Sequence, residues 1–157
     1  MRVGFGFDVH QLTEGKEFFI GGIRIDSPFG ATGHSDADVL IHAICDAILG
    51  AAALGDIGTH FPDTDMKYKN IDSKLLLKEV MNLLTKNNYR LINIDSTLSL
   101  EAPKIKPYIE QMRSKLSEVT GIGADCISIK ATTSEKLGFV GRQEGVCAYA
   151  VVMIESI

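Results

Sequence analysis

The chain has 157 residues, 45% of them hydrophobic and 23% charged, which is enough to bury one sizeable core. Its net charge of −4, without a basic run, argues against nucleic-acid binding. Three cysteines with no CxxC pair exclude a disulfide framework and a cysteine-rich zinc site. No signal-peptide core or membrane-length apolar stretch is evident, which predicts a cytoplasmic protein. The mean hydropathy of +0.11 suggests that other subunits cover part of the apolar surface.

Hydrophobic periodicity predicts eight elements along the chain. The run at 37–53 is apolar on nearly every side, so it should be a deeply buried helix, with Ser35 and Asp36 as its caps. In chain order the predicted elements are a strand over 3–9, a second strand or hairpin arm over 18–25 broken by Gly21-Gly22, the helix over 37–53, a helix over 73–84 capped by Asp72, a strand over 92–100, a helix over 105–119 ended by Gly121, a strand over 127–131, and a strand over 146–154 buried on both faces.

This order of elements predicts an α/β fold, a single-domain sandwich over 1–157 in which helices pack on one face of a sheet. The distribution of glycine agrees with it. Nine of the fifteen glycines precede residue 56 and none lies between 59 and 120, so the middle is helix-rich and the tight turns lie toward the ends. No repeat, linker or low-complexity segment is present.

All four histidines lie in the first 60 residues, and two of them are candidate metal ligands. Asp8 and His10 are two apart on the first strand and therefore share a face. On the buried helix, His42 lies on one face with Asp38 and Asp46 and is a third candidate ligand. Two imidazoles and one carboxylate would leave a tetrahedral zinc ion one open position. Alternatively, Asp8 and His10 form a strand-end hydrogen bond and His42 pairs with Asp38 or Asp46.

Four other segments suit phosphates or hydroxyls, and each has a structural alternative. Residues 33–36 precede the buried helix, where free N–H groups suit an anion or form a plain helix cap. The loop at 55–65, rich in Gly, Asp and Pro, suits a hydroxyl-rich ligand or simple turns. Residues 131–136 offer hydroxyls for phosphate and Glu135 for a hard cation, or a Thr/Ser turn. Arg142 suits an anion clamp or a surface position.

These segments occur together in the order and spacing of one family. They are GFDVH at 6–10, GHSDADV at 33–39, the helix with His42, AALGDIGTHFPDTD at 52–65, EAPKI at 101–105, KATTSEKLGFVGR at 130–142 and EG at 144–145. With these motifs the chain, over essentially its whole length, closely resembles the 2-C-methyl-D-erythritol 2,4-cyclodiphosphate synthases of the non-mevalonate isoprenoid pathway. It departs from the pattern at Lys106, where a small or apolar residue is common, and at Gln143, where glycine is common.

The resemblance implies a phosphorus–oxygen lyase that cyclises 4-diphosphocytidyl-2-C-methyl-D-erythritol 2-phosphate and releases CMP. It implies a mixed sheet and a homotrimer with active sites between neighbouring subunits. It also implies one zinc ion per subunit on Asp8, His10 and His42, a choice of third ligand that spacing leaves open. Glu135 corresponds to a ligand of Mg or Mn between the α- and β-phosphates. The nucleophile is then the substrate's own 2-phosphate, in agreement with the lack of a nucleophile-plus-base motif.

The resemblance also implies substrate contacts. His34 and Thr133 correspond to residues that stabilise the transition state. Asp8 and His10 are substrate contacts as well as metal ligands, and His34 and Ser35 contact phosphate. The methylerythritol contacts are Asp56, Ile57, Gly58, Phe61, Pro62, Asp63, Thr64 and Asp65. The cytidine and phosphate contacts, supplied by a neighbouring subunit, are Leu100, Glu101, Ala102, Pro103, Lys104, Ile105, Lys106, Ala131, Thr132, Thr133, Ser134 and Glu135. Phe139 and Arg142 correspond to a central cavity of the trimer that accepts an isoprenoid diphosphate.

Two other functions remain open on the residues alone. A zinc phosphodiesterase or pyrophosphatase would use metal-bound water as its nucleophile and release methylerythritol phosphates rather than a ring. A non-catalytic trimer would bind an isoprenoid diphosphate around Phe139 and Arg142 without releasing CMP. Neither function explains the ordered set of motifs.

Overall fold

The computed structural model describes all of residues 1–157 as a five-stranded sheet with helices packed on it, beside a small two-stranded hairpin. The strands are β1 (Arg2–Glu14), β2 (Phe18–Ile20), β3 (Ile23–Ile25), β4 (Phe29–Thr32), β5 (Tyr89–Ser99), β6 (Ile127–Thr132) and β7 (Gly145–Ser156). The helices are α1 (Val39–Ala51), α2 (Ile57–His60), α3 (Ser73–Lys86), α4 (Ile109–Thr120) and α5 (Gly138–Gly141). Single 3-10 turns lie at Met66–Tyr68, Lys106–Tyr108 and Ala124–Cys126.

The sheet is mixed, as expected, with the strand order β4-β1-β7-β5-β6. β5 and β6 run parallel, and the other neighbours are antiparallel. The predicted second strand over 18–25 is the separate hairpin of β2 and β3, which turns at Gly21 and Gly22 with φ of +61° and +79°. Glycine adopts these left-handed angles without steric cost. The sequence does not predict β4, α2 and α5, because four residues are too few to show a period.

The α1 helix is buried as predicted, with ten of its thirteen residues inside the core. Its predicted bounds and caps are wrong, however. The helix begins at Val39 and ends at Ala51 because Ala37 and Ala53 both have left-handed backbones, with φ of +57° and +59°. Asp38 is the N-cap, since its side chain accepts a hydrogen bond from the Ile41 N–H at 3.0 Å.

Two glycines of β1 let α1 lie directly on the sheet. A Cβ atom on Gly6 would stand 1.9 Å from the carbonyl oxygen of Ala43. A Cβ atom on Gly4 would stand 1.9 Å from the carbonyl oxygen of Ala47. Because neither glycine has a side chain, the strand and helix backbones are in contact along two helical turns. This close contact between strand and helix leads toward the part of β1 that carries Asp8 and His10.

The remaining long helices complete one continuous core of 34 buried residues. The α3 helix packs on α1 and β5, and α4 packs on β6. Asp72 caps α3 as predicted, and Gly121 ends α4 in the predicted left-handed conformation. The α4 helix begins at Ile109 rather than 105, because a 3-10 turn containing a proline precedes it. None of the helices is long and apolar enough to cross a bilayer.

The face of the sheet opposite the helices is apolar and exposed in the single chain. Exposed side chains from two neighbouring strands lie side by side there: Val3, Phe5, Phe7 and Val9 on β1, and Tyr149 and Val151 on β7. The prediction that the last strand is buried on both faces is therefore wrong for one chain, since Tyr149 is 39% exposed and Val151 is 42% exposed. Contiguous apolar patches of this kind mark interaction surfaces.

The contact between β1 and α1 leads to a stability prediction. Gly6→Ala should destabilise the protein by about 1–3 kcal/mol or more, because the added methyl group must push the two backbones apart. Thermal unfolding at a fixed protein concentration measures the loss. Gly50→Ala is the matched control, since its added Cβ meets nothing closer than 3.9 Å and alanine favours a helix. A Gly6→Ala protein as stable as the parent contradicts the close packing.

Candidate metal centre and substrate site

Three side chains from β1 and α1 converge at one end of the sheet. One donor atom each from Asp8, His10 and His42 lies within 4.8 Å of the others. The Oδ2 atom of Asp8 is 3.0 Å from Nδ1 of His10 and 3.0 Å from Nδ1 of His42. The structure thus brings together the three residues expected to bind metal. The alternative in which His42 pairs with Asp38 or Asp46 is wrong, because its ring contacts Asp8 instead.

The donor atoms fit a divalent metal ion. Two imidazole nitrogens and one carboxylate oxygen are common zinc ligands, and three protein ligands leave room for a fourth from substrate or water. The Nδ1 atom of His10 is buried and has no hydrogen-bond partner, since its approach to Asp8 lacks the angle of a hydrogen bond. A buried polar atom without a partner is costly. An ion bound at this point would remove that cost.

The electrostatics of the cluster favour a charged carboxylate. Burial raises the pKa of the Asp8 carboxyl, but its contacts with His10 and His42 outweigh burial and hold the pKa below its usual range. Burial lowers the pKa of His42, but the hydrogen bond to Asp8 and the negative charges of Asp8, Asp38 and Asp36 together outweigh burial, and the pKa of the imidazole is raised. Asp8 therefore attracts positive charge to the position between the two imidazoles.

The other two carboxylates on the His42 face of α1 have structural roles. Asp38 is fully buried and accepts hydrogen bonds from the N–H groups of Gly21 and Gly22, besides capping α1. Burial raises the pKa of the Asp38 carboxyl, and the hydrogen bonds from these three donors offset that rise only in part. Asp46 accepts the Ile57 N–H at 2.7 Å and so ties α1 to the start of α2. Neither is a candidate metal ligand.

A cavity of about 360 Å³ opens beside the metal cluster and contains many of the predicted substrate contacts. The Nε2 atom of His34, one of its lining residues, is buried without a partner and is free to bind a ligand atom. The predicted contacts that line this cavity are His10, His34, Ser35, Ile57, Gly58, Phe61, Pro62 and Asp63. Residues that the sequence analysis missed are Tyr68, Ile71 and Leu76, which carry no polar signal and reach the cavity only through the fold.

Three predicted methylerythritol contacts do not line this cavity. Asp56 caps α2 and accepts the Thr59 N–H at 2.8 Å. Asp65 caps the following 3-10 turn, and Thr64 is exposed beside it. Asp38, which lies outside 33–36, caps the N-terminus of α1, so the helix-cap alternative for that segment is wrong.

The predicted cytidine contacts form a second, separate cavity of about 220 Å³. Its lining residues are Leu100, Glu101, Pro103, Lys104, Ile105, Lys106, Ala131, Thr132 and Thr133, without Ala102, Ser134 or Glu135. Strand register locates it relative to the metal cluster. Asp8 pairs with Ala148, which pairs with Leu98, which pairs with Ala131. Three strand spacings, roughly 14 Å, therefore separate the two parts of the site within one chain.

Glu101 holds the loop that carries Thr133 and Glu135. Its Oε1 atom accepts hydrogen bonds from the Ser134 N–H at 2.9 Å, the Ser134 hydroxyl at 3.1 Å and the Lys136 N–H at 3.1 Å. Glu135 has a left-handed backbone with φ of +53°, so the loop needs such an anchor. Glu135 is exposed, and the Thr133 hydroxyl donates to its carboxylate at 3.1 Å.

Phe139 lies in the short helix α5, and Arg142 directly follows that helix, before β7. Phe139 is 42% exposed, and the Arg142 guanidinium is paired with Glu144 at 2.9 Å rather than free. Gln143, which lies between Arg142 and Glu144 in the chain, has φ of +59°. This left-handed backbone accounts for the expected preference for glycine at position 143, since glycine adopts it without strain.

Comparison with known proteins agrees with this geometry. A family model described as the YgbB family matches residues 1–155. The chain belongs to the YgbB family. It is 58% identical over 156 residues to a 2-C-methyl-D-erythritol 2,4-cyclodiphosphate synthase from Chlorobaculum tepidum, covering 99% of each chain. It is 59% identical over 155 residues to the enzyme of the same name from Bacteroides thetaiotaomicron, covering 99% of this chain and 98% of the relative.

Solved structures share the fold over nearly the whole chain. A CDP-bound 2C-methyl-D-erythritol-2,4-cyclodiphosphate synthase superposes with a TM-score of 0.91 at 38% identity, covering 98% of this chain and all of the other. The bifunctional IspDF of Campylobacter jejuni superposes with a TM-score of 0.96 at 42% identity, covering 99% of this chain and 42% of that longer one. These matches confirm the resemblance drawn from the motifs and the mixed α/β fold.

Proposed function

We propose that this chain cyclises 4-diphosphocytidyl-2-C-methyl-D-erythritol 2-phosphate to 2-C-methyl-D-erythritol 2,4-cyclodiphosphate and releases CMP. The observation that carries the proposal is the cluster of Asp8, His10 and His42, found in a chain whose full-length relatives bear the name of that synthase. The CDP bound to a structural relative supports a cytidine nucleotide as part of the substrate.

The reaction needs no protein nucleophile. An oxygen of the substrate's 2-phosphate attacks the β-phosphorus, and the bond from that phosphorus to the bridging oxygen breaks, so CMP leaves with the bond's electron pair. The main barrier is repulsion between two anionic groups. A zinc ion held by Asp8, His10 and His42 would supply Lewis-acid neutralisation of the β-phosphate when bound. Holding both ends of one flexible molecule in line supplies most of the remaining acceleration.

Other side chains contribute donors and position. The free Nε2 atom of His34 is suited to a phosphate oxygen, and Ser35 offers a hydroxyl in the same cavity. Thr133, in the second cavity, is suited to the phosphates nearer the cytidine. Glu135 would hold Mg²⁺ or Mn²⁺ through its exposed carboxylate, since hard cations prefer oxygen ligands. The other predicted contacts that line the two cavities would provide the methylerythritol and cytidine walls.

A homotrimer would assemble the site from two chains. Within one chain roughly 14 Å separates the metal cluster from the cytidine cavity, and a neighbouring copy would bring its own cytidine cavity closer to this metal cluster. The exposed apolar face of β1 and β7 supplies the surface for such contacts. Phe139 and Arg142 would then face a shared cavity suited to an isoprenoid diphosphate, provided that the diphosphate displaces Glu144 from Arg142.

Product analysis tests the reaction. Incubated with substrate, zinc and magnesium, the parent protein should give CMP and a cyclic diphosphate, identified by phosphorus NMR.

His42→Ala should lose zinc and turnover because two ligands bind zinc weakly, while its circular dichroism stays that of the parent. Glu135→Gln should keep zinc and lose its response to added magnesium, whereas Glu118→Gln, an exposed glutamate on α4, should behave as the parent does.

Each competing function gives a different product. Linear methylerythritol phosphates in place of the ring would identify a phosphodiesterase or pyrophosphatase. Tight binding of an isoprenoid diphosphate without any CMP would identify a non-catalytic binding protein. Near-parental cyclisation by His42→Ala would show that the metal cluster is not the catalytic centre.

The assembly has its own test. The parent should sediment with the mass of three chains, and Phe5→Glu should lower that mass because a carboxylate replaces an apolar side chain that is 63% exposed on the sheet face. Turnover should fall with the mass, since each site needs two chains. Leu75→Glu, a change at a leucine on α3 that is 54% exposed, should alter neither quantity. A parent that sediments as a single chain, or a Phe5→Glu protein that keeps three, contradicts the trimer.

A further inference from the structure

A fully buried serine contacts His42 on the side of its ring that faces away from Asp8. Ser73 is the first residue of α3 and has no exposed surface. Its hydroxyl oxygen lies 2.9 Å from Nε2 of His42, the ring nitrogen that faces away from Asp8. Ser73 lines neither the substrate cavity nor the cytidine cavity, so no ligand in these cavities touches it. The proposed reaction therefore gives this hydroxyl no role.

The direction of the hydrogen bond to His42 follows from a third residue. The Ser73 hydroxyl also contacts Oδ1 of Asp36, and the Ser73 N–H donates to Oδ2 of the same carboxylate at 3.0 Å. An ionised carboxylate accepts hydrogen bonds and cannot donate them. The Ser73 hydroxyl proton is therefore committed to Asp36, and its oxygen is left to accept the Nε2–H of His42. Because Nε2 keeps its proton, Nδ1 is the nitrogen that would bind an ion through its lone pair, in place of its hydrogen bond to Asp8.

Asp36 is itself held firmly in place. Its carboxylate lies at the N-terminus of a 14-residue helix, where the helix dipole stabilises negative charge. Its backbone N–H donates to the carbonyl of Ile71 at 3.0 Å, and the carbonyl of His34 accepts the Asn70 N–H at 2.7 Å. These two backbone hydrogen bonds join the segment before α1 to the segment before α3, next to the contact between Asp36 and Ser73.

A second hydroxyl competes for the same nitrogen. The Oγ atom of Ser35 lies 3.0 Å from Nε2 of His42, but it also accepts the Ala37 N–H, and Ser35 lines the substrate cavity. Ser35 can therefore turn to a bound phosphate, whereas the buried Ser73 cannot leave His42. Ser35 is therefore placed to contact a ligand, and Ser73 is placed to hold the imidazole of His42.

We propose that Ser73, fixed by Asp36, is a positioning residue that orients His42 for metal binding. The inference rests on the proposed metal centre. Hydrogen-bond partners of metal-binding histidines fix the tautomer and the ring orientation, and losing one commonly weakens metal affinity by 10- to 100-fold.

The test measures zinc affinity directly, by competition with a chromogenic chelator on metal-depleted protein. Ser73→Ala should bind zinc about 10- to 100-fold more weakly than the parent. Ser96→Ala is the matched control, because Ser96 is 2% exposed and its hydroxyl donates a hydrogen bond to the carbonyl of Ser128 on β6. Both variants should melt at lower temperature, but only Ser73→Ala should lose zinc affinity.

A second measurement uses the parent alone and does not depend on the variant folding. With zinc bound and the histidines labelled with nitrogen-15, NMR should find the His42 proton on Nε2, protected from exchange with water and close in space to the Ser73 β-protons. A proton that exchanges freely overturns the inference, as does a Ser73→Ala protein with parental zinc affinity. A parent that binds no zinc at all instead overturns the proposed metal centre, and this inference with it.

Discussion

The direct contact between the backbones of β1 and α1 is the constraint on which the rest of the structure depends. Gly4 and Gly6 contribute no side-chain atom to the interface, so the helix lies on the strand at a distance that no other residue at these positions permits. As a consequence, the next inward-facing residues of β1, Asp8 and His10, meet His42 on the helix. A larger separation would leave three partly buried polar groups too far apart to share one ion.

The polar groups around this contact differ in whether they have hydrogen-bond partners. Asp38 is fully buried, but three backbone N–H groups satisfy it, and it fixes the start of α1 and the turn of the hairpin. Asp36 is stabilised by the N-terminus of α3 and by Ser73. By contrast, His10 and His34 each keep a buried nitrogen without a partner. The framework carboxylates are thus fully bonded, and the unpartnered atoms lie where an ion and a phosphate would bind.

Assembly and chemistry are linked through the sheet. Its helix-covered face forms the core and the metal cluster, while its other face remains apolar and exposed on β1 and β7. The same register that fixes the cluster also places the cytidine cavity three strands away. One chain therefore contains both parts of the proposed site roughly 14 Å apart, and in the proposed trimer a neighbouring copy supplies the second part.

The sequence by itself determined the mixed α/β class, the buried helix, the caps at Asp72 and Gly121, and the family, because periodicity, turn residues and ordered motifs are local properties of the chain. Spacing alone suggested His42 as a ligand but could not choose between Asp8, Asp38 and Asp46 as its partner. Only the tertiary structure decided that, since the choice depends on how closely the helix approaches the strand. The same holds for Ser73 and Glu101, whose hydrogen bonds join segments more than 30 residues apart. The exposure of Tyr149 and Val151 also needed the fold, because an apolar run does not reveal whether its second face is covered by its own chain or by another.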